Sequence, residues 1–279
     1  MSQETFTDPS ANYEFTEDNF AVPDEDFSLK YFQAQVIKSE MYWSRFGGRP
    51  DLSGKVVLEV GCGHGALCID AAISGAQRVI GLDLISSRIE FARNIVAERY
   101  PDIANRTEFH HLDIDNLTTL DGQVDIVISK DTFEHIMGIE RVLLSIKRVL
   151  RQGGLLITGF SPLYYSPFGD HGYHAIGKRI KIPWAHLIIG DARVVAGYNK
   201  YHKYHPGIEC HSIYDLGLNK LKRRDFLQAF NQAGFVIVNE TLNATKGASK
   251  VMPLFRLLNK VPGLEDYTTV SMYVVARKT

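Results

Sequence analysis

Lys55-Val-Val-Leu-Glu-Val-Gly-Cys-Gly-His-Gly65 is the stretch whose reading decides the fold. Val56, Val57, Leu58 and Val60 form a short apolar, largely β-branched run, the pattern of a strand buried on both faces. Gly61, Gly63 and Gly65 follow at alternate positions. Glycine tolerates positive φ and carries no side chain, so a ligand can approach the backbone. A helix is expected from Ala66. Strand, glycine-rich turn and helix together build a site for a nucleoside-bearing ligand at the carboxyl end of a parallel sheet.

Composition sets the bounds around this turn. A chain of 279 residues with 45% hydrophobic and 23% charged residues can bury a full core. A net charge of −1 gives no case for nucleic-acid binding. Cys62, Cys68 and Cys210 have no framework spacing, which points to a reducing compartment. No apolar run is long enough to span a bilayer, and no signal-peptide pattern opens the chain; the expected location is the cytoplasm.

Working outward, Arg78–Leu84 is a second buried strand carrying Asp83, 18 residues beyond Gly65. A carboxylate there can accept both ribose hydroxyl protons of a nucleoside, and Ser86 and Ser87 are better placed to cap the next helix. That helix should run from Ser87 to Tyr100. Strands follow at Thr107–Asp113 and Val124–Lys130, the latter leading into Asp131-Thr-Phe-Glu-His135. A helix over Ile139–Leu150, the Gly153-Gly154 pair and a strand at Leu155–Phe160 come next. Helix, Gly234 and strand are expected over 224–238, and a final strand over Tyr267–Ala276.

Two cofactor classes use such a turn. Gly61, Gly63 and Ala66 satisfy G-x-G-x-x-G/A, which an NAD(P)-dependent oxidoreductase would also carry. With Glu59 before it and Gly65 after it, the turn resembles the first motif, E/D-x-G-x-G-x-G, of the class I S-adenosylmethionine-dependent methyltransferases. Asp113-Ile114, the D-x-V-x-S type strand ending in a Glu-His pair, and the helix–Gly-Gly–strand unit are similar to later motifs of that family, in order. The resemblance covers residues 52–160 and 223–277. It implies a doubly wound, mostly parallel α/β sheet of seven strands, the last antiparallel. It also implies S-adenosylmethionine as cofactor, bound by Glu59, Gly61, Cys62, Gly63, Gly65, Asp83, Leu84, Arg88, Asp113, Ile114 and Lys130. The division expected is an acidic tail at 1–29 that could act as a lid, a cofactor-binding core at 30–160, a substrate cap inserted at 161–222, and completion of the core at 223–279.

Within this frame the function expected is methyl transfer to a small organic acceptor, most simply a hydroxyl. A base near the fourth strand would take the proton; His135 and, from the cap, His171, His174 and His186 are candidates, with Asp131 orienting substrate or sulfonium. Tyr164, Tyr165, Phe168, Tyr173, Trp184 and Tyr198 suggest an aromatic acceptor pocket. Residues 171–224 are rich in Lys and Arg, including Lys178, Arg179 and Lys181, whereas 1–29 holds eight acids and no base, so an anionic acceptor or the tail itself could face the cap. The pairs His171-x-x-His174 and His202-x-x-His205 have one-turn spacing but no recognised ligand pattern, and no metal is expected. The expected partner is therefore a small molecule, aromatic or anionic, with no nucleic acid and no membrane. Oligomeric state stays open, as does a non-catalytic subunit of the same fold.

Overall fold

The structure, a computed structural model, describes residues 6–13, 25–175, 182–201, 209–244 and 252–279. Helix α1 (Glu25–Ser44) precedes the first strand, β1 (Val56–Val60). Then come α2 (Ala66–Ile73), β2 (Arg78–Asp83), α3 (Ser86–Arg99), β3 (Thr107–His111), β4 (Val124–Lys130), α4 (Ile139–Val149) and β5 (Leu150–Phe160). Short helices α5 (Ala185–Ile189) and α6 (Asp191–Tyr201) follow, then α7 (Arg223–Gln232), β6 (Phe235–Leu242), α8 (Met252–Leu258), α9 (Glu265–Thr268) and β7 (Met272–Lys278). The strands form one sheet in the order β3-β2-β1-β4-β5-β7-β6. Pairing is parallel from β3 through β5, and β7 runs antiparallel to both of its neighbours. The seven-stranded arrangement read from the motifs is thus the observed one.

Alternation along β1 places Val57 in the core beneath α2 and Leu58 in the core on the other face, because successive side chains point to opposite sides. Both faces are covered, as an all-parallel centre requires. Helix α1 packs on one of them. Its Tyr42 hydroxyl lies 2.9 Å from the Ile157 carbonyl, and the Trp43 indole donates to Asp70 at 2.7 Å. Two strand ends differ from the sequence reading. Strand β5 begins at Leu150 and passes through Gly153 at φ 74°, where the β4–β5 register shifts, so the glycine pair lies within an irregular strand rather than before it. Residues 265–268 form a helical turn rather than the start of the last strand, with the Thr269 hydroxyl donating to the Glu265 carbonyl.

Residues 6–13 are docked, not free. Gly138, which precedes α4, has no side chain to cap it. Asp8 supplies the missing acceptor: its carboxylate takes the Ile139 N–H at 2.8 Å, and the Ser10 hydroxyl takes the Gly138 N–H at 3.3 Å. Caps of this kind are worth about 1 kcal/mol. The anchor carries Asn12 and Tyr13 to the carboxyl end of the sheet.

Candidate active site

The turns after β1, β2, β3 and β4 converge on one cavity of about 1100 Å³. The three glycines of the first turn all have positive φ, but for different reasons. A Cβ on Gly65 would come within 2.9 Å of Phe109 and 3.1 Å of Ala92, and one on Gly61 would collide with Thr132. A Cβ on Gly63 would meet nothing within 4 Å, because that backbone faces the cavity. Asp83 pins the turn: one carboxylate oxygen accepts the Gly63 N–H at 2.7 Å and the other accepts the Ile85 N–H at 3.0 Å. Neither Ser86 nor Ser87 caps α3; Ile85 is the N-cap residue and carries no side-chain cap bond. Each Asp83 oxygen keeps a second lone pair for a ligand.

Carboxylates stand at three strand ends. Glu59 is buried, accepts the Cys68 thiol at 2.9 Å, and burial pushes its carboxyl up to about 8. Asp113 caps the short 3-10 helix Ile114–Asn116 by accepting the Asp115 N–H, and lies 3.6 Å from Arg141. Asp131 sits at φ 49° with its carboxylate 3.7 Å from the Lys130 ammonium. Lys130 also donates to Gln35 of α1, and burial lowers its pKa. Cys62, Leu84, Arg88 and Ile114 line the cavity too, so every residue of the expected cofactor set except Gly65 reaches it; Gly65 serves helix–sheet packing instead.

At the other end, His135 and His171 meet, their ring centroids 5.0 Å apart. His135 Nδ1 lies 2.5 Å from the Gly217 carbonyl. A carbonyl only accepts, so Nδ1 carries the proton and Nε2 presents its lone pair. Burial lowers the pKa of His135, and burial plus the neighbouring His135 push His171 down to about 3. Both rings are therefore neutral at pH 7. His174 does not join them: its ring turns away to Asp170, at 2.7 Å, so the His171–His174 spacing does not make a pair. Of the six cap aromatics expected in a pocket, only Tyr173 lines the cavity. Tyr164 and Tyr198 lie in the cap's own apolar core with Tyr165 packed against it, Trp184 packs on Phe255, and Phe168 is exposed.

Several lining residues were not read from the sequence. Tyr31, Gln35 and Ser39 form one face of α1 at four-residue spacing. Tyr13 and Tyr214 face each other with ring centroids 6.1 Å apart. His64 is buried between Tyr31 and Phe91 with both ring nitrogens unpartnered, and burial with the Arg88 charge holds it down to about 4. The one signal available was the polar stripe on α1. Phe15 and Phe20 of the tail, Lys178, Arg179, Lys181 and Lys203 of the cap, and His202 with His205 lie outside the described residues. Among the described cations of the basic stretch 171–224, Lys220 pairs with Asp191, Arg223 with Glu240 and Arg224 with Asp266.

A sheet with a single reversed strand and a glycine turn facing a cavity is an arrangement that nucleoside-binding α/β proteins use. Comparisons make the class specific. Residues 51–165 match the family model described as a methyltransferase domain. A protein arginine N-methyltransferase 1 from Dictyostelium discoideum is 34% identical over 54% of this chain and 41% of its own length. A ubiquinone biosynthesis O-methyltransferase from Acinetobacter baylyi is 29% identical over 61% of this chain and 66% of its own. An S-adenosylmethionine-dependent methyltransferase from Mesorhizobium loti superposes with a TM-score of 0.56 over 87% of this chain and all of that one, at 18% identity. The chain spans about two-fifths to a half of the length of the first curated relatives it matches. The chain thus resembles a methyltransferase domain over residues 51–165 and has the fold of S-adenosylmethionine-dependent methyltransferases. That likeness is to methyltransferases rather than to the dehydrogenases that share the turn. No helix of the described residues is long and apolar enough to cross a membrane.

Proposed function

We propose that the chain methylates a hydroxyl of a small organic acceptor, with the cofactor at the strand ends and the acceptor between His135, His171, Tyr13, Tyr173 and Tyr214. One observation carries this reading: the cavity, at about 1100 Å³, runs unbroken from Glu59 and Asp83 to His135 and His171. Sites for one ligand usually measure about 300–1,000 Å³, so this space suits two small molecules side by side.

The cofactor supplies a methyl group on a sulfonium, already a good leaving group. The chain's own residues do the rest. Gly63 opens its backbone to the ligand, Asp83 offers acceptors to ribose hydroxyls, and Asp113 with the Ile114 N–H stands where an adenine edge would lie. Glu59 and Lys130, with Cys62, Leu84 and Arg88 beside them, bound the remainder of that half. Asp131, at the tip of β4, orients the reacting groups. His135 Nε2, its tautomer fixed by Gly217, takes the acceptor proton as oxygen displaces sulfur; His171 packs on its face and holds it. His174 is not retained in this role.

The test is methyl transfer from S-adenosylmethionine across a panel of phenols, catechols, hydroxy acids, amines and arginine-bearing peptides. Transfer to hydroxylated small molecules is expected. Transfer confined to the peptides would overturn the reading, and cofactor binding without transfer to any acceptor would favour a non-catalytic subunit.

A further inference from the structure

Asp170, His174 and His186 form the one cluster among the described residues whose His, Cys, Asp or Glu atoms could hold a metal, with one ligand atom of each within 4.8 Å of the others. The cluster is dry. The side chains of Asp170 and His186 are fully buried and that of His174 is 5% exposed. Asp170 accepts the Gly172 and His174 N–H groups at 3.1 and 2.7 Å, and its described ion-pair partners are these two histidines alone. A buried carboxylate without a firm cation is costly.

The tautomers sharpen the point. His186 Nε2 lies 2.7 Å from the Tyr164 carbonyl, so that nitrogen carries the proton. Its Nδ1, buried and unpartnered, then turns a lone pair toward Asp170 Oδ1 at 3.7 Å. Two acceptors facing each other away from bulk solvent make a place for a cation between them. A histidine whose outer N–H rests on a backbone carbonyl while the inner nitrogen faces a carboxylate is oriented as metal-ligating histidines are. His174 Nε2 is buried and unpartnered as well. Two imidazoles and one carboxylate are a donor set that suits zinc, with a fourth position left over.

We propose that Asp170, His174 and His186 bind one zinc ion, and that this ion clamps the cap loop which carries His171 and Tyr173 into the cavity wall. The wall residues lie between the ligands along that loop: Asp170 and His174 belong to the cluster, and His171 and Tyr173 line the cavity. His171 and Gly172 both sit at positive φ, 55° and 78°, a conformation that an external tie can hold. The ion would tie this loop to α5, which brings His186.

The experiment uses the full chain. Protein stripped with chelator and dialysed against zinc should retain one equivalent by elemental analysis, and cobalt in its place should give the visible absorption of a four-coordinate site. The pair His174→Gln with His186→Gln should lose the ion, whereas His211→Ala should keep it. Circular dichroism checks that the variants fold; if the double variant does not, Asp170→Asn alone serves, with an expected loss of affinity of at least tenfold. Zinc should also protect the 170–175 loop from proteolysis. Less than a tenth of an equivalent retained by folded wild-type protein overturns the proposal, and so does full retention by the folded double variant. These readouts do not depend on methyl transfer, so the metal site stands or falls apart from the acceptor assignment.

Discussion

The two ends of the cavity are built by opposite means. The end at Glu59, Gly63, Asp83 and Asp113 comes from consecutive strand–turn units, each residue fixed by the hydrogen-bonded register of β1, β2 and β3. The end at His135, His171, Tyr13 and Tyr214 is gathered from four separate segments spread along the chain from residue 13 to residue 214. Backbone ladders place the first kind of site, and tertiary packing places the second. The first tolerates little change of backbone but survives altered neighbours; the second should lose chemistry before it loses fold.

His135→Ala tests the second half and should give the largest effect. A general base contributes about 10²–10⁴ in rate, so kcat should fall by that order while cofactor affinity stays unchanged. The pH profile carries the sign. The base acts unprotonated, and burial lowers its pKa, so the rate should hold through neutrality and fall only below the ordinary histidine value of about 6.5. Calorimetry showing that His135→Ala weakens cofactor binding as much as it slows turnover would place the ring in the wrong half.

Next in size is a contrast within one turn. Gly65→Ala imposes a strained φ and a clash with Phe109 and Ala92, at a cost of about 2–4 kcal/mol of stability. Gly63→Ala meets open space, so only the backbone cost of roughly 1–2 kcal/mol falls on stability, while its methyl intrudes on the ligand. Chemical denaturation and cofactor titration on both variants separate the two jobs. Equal loss of stability in both would erase the distinction.

Asp83→Ala follows, with about 1.5–3 kcal/mol of cofactor affinity expected to go. Part of that loss comes through the turn, since Asp83 also holds the Gly63 N–H. Asp83→Asn keeps an acceptor oxygen and should recover some affinity. An unchanged dissociation constant for Asp83→Ala would remove it from the site.

Legibility followed the same division. The motifs at residues 59–65, 83, 113 and 130–135 were readable because a strand end and its turn are contiguous in sequence, and sheet order fixed where they meet. The cap was not. Its aromatics look alike in sequence whether they pack within the cap's own core, as Tyr164 and Tyr198 do, or reach the cavity wall, as Tyr173 does. Asp83 was legible as a carboxylate at the tip of β2 but not as the anchor of the turn, because the Ile85 and Gly63 N–H groups it accepts become available only in the folded loop. Asp8 gave no signal as a cap for α4, since its partner Ile139 lies 131 residues away.

The smallest effect sharpens that last distinction, between aromatic rings that build the cap and rings that face the cavity. The Tyr164 hydroxyl donates to Asp191 at 2.5 Å, and Asp191 also holds Lys220. Tyr164→Phe therefore removes one half-buried hydrogen bond to a charged group, but Lys220 still satisfies the carboxylate, so about 1 kcal/mol of stability should go and turnover should not change. Tyr214 pairs with Tyr13 across the cavity mouth, and both rings line the space assigned to the acceptor. Tyr214→Leu should leave the melting temperature nearly unchanged and raise the Michaelis constant several-fold. Aromatic pairs couple by about 0.5–1.5 kcal/mol, so the double variant with Tyr13→Leu should raise the Michaelis constant by less than the product of the two single effects. Multiplicative effects in that cycle would mean that the two rings act independently, and that residues 6–13 brace α4 without closing over the acceptor.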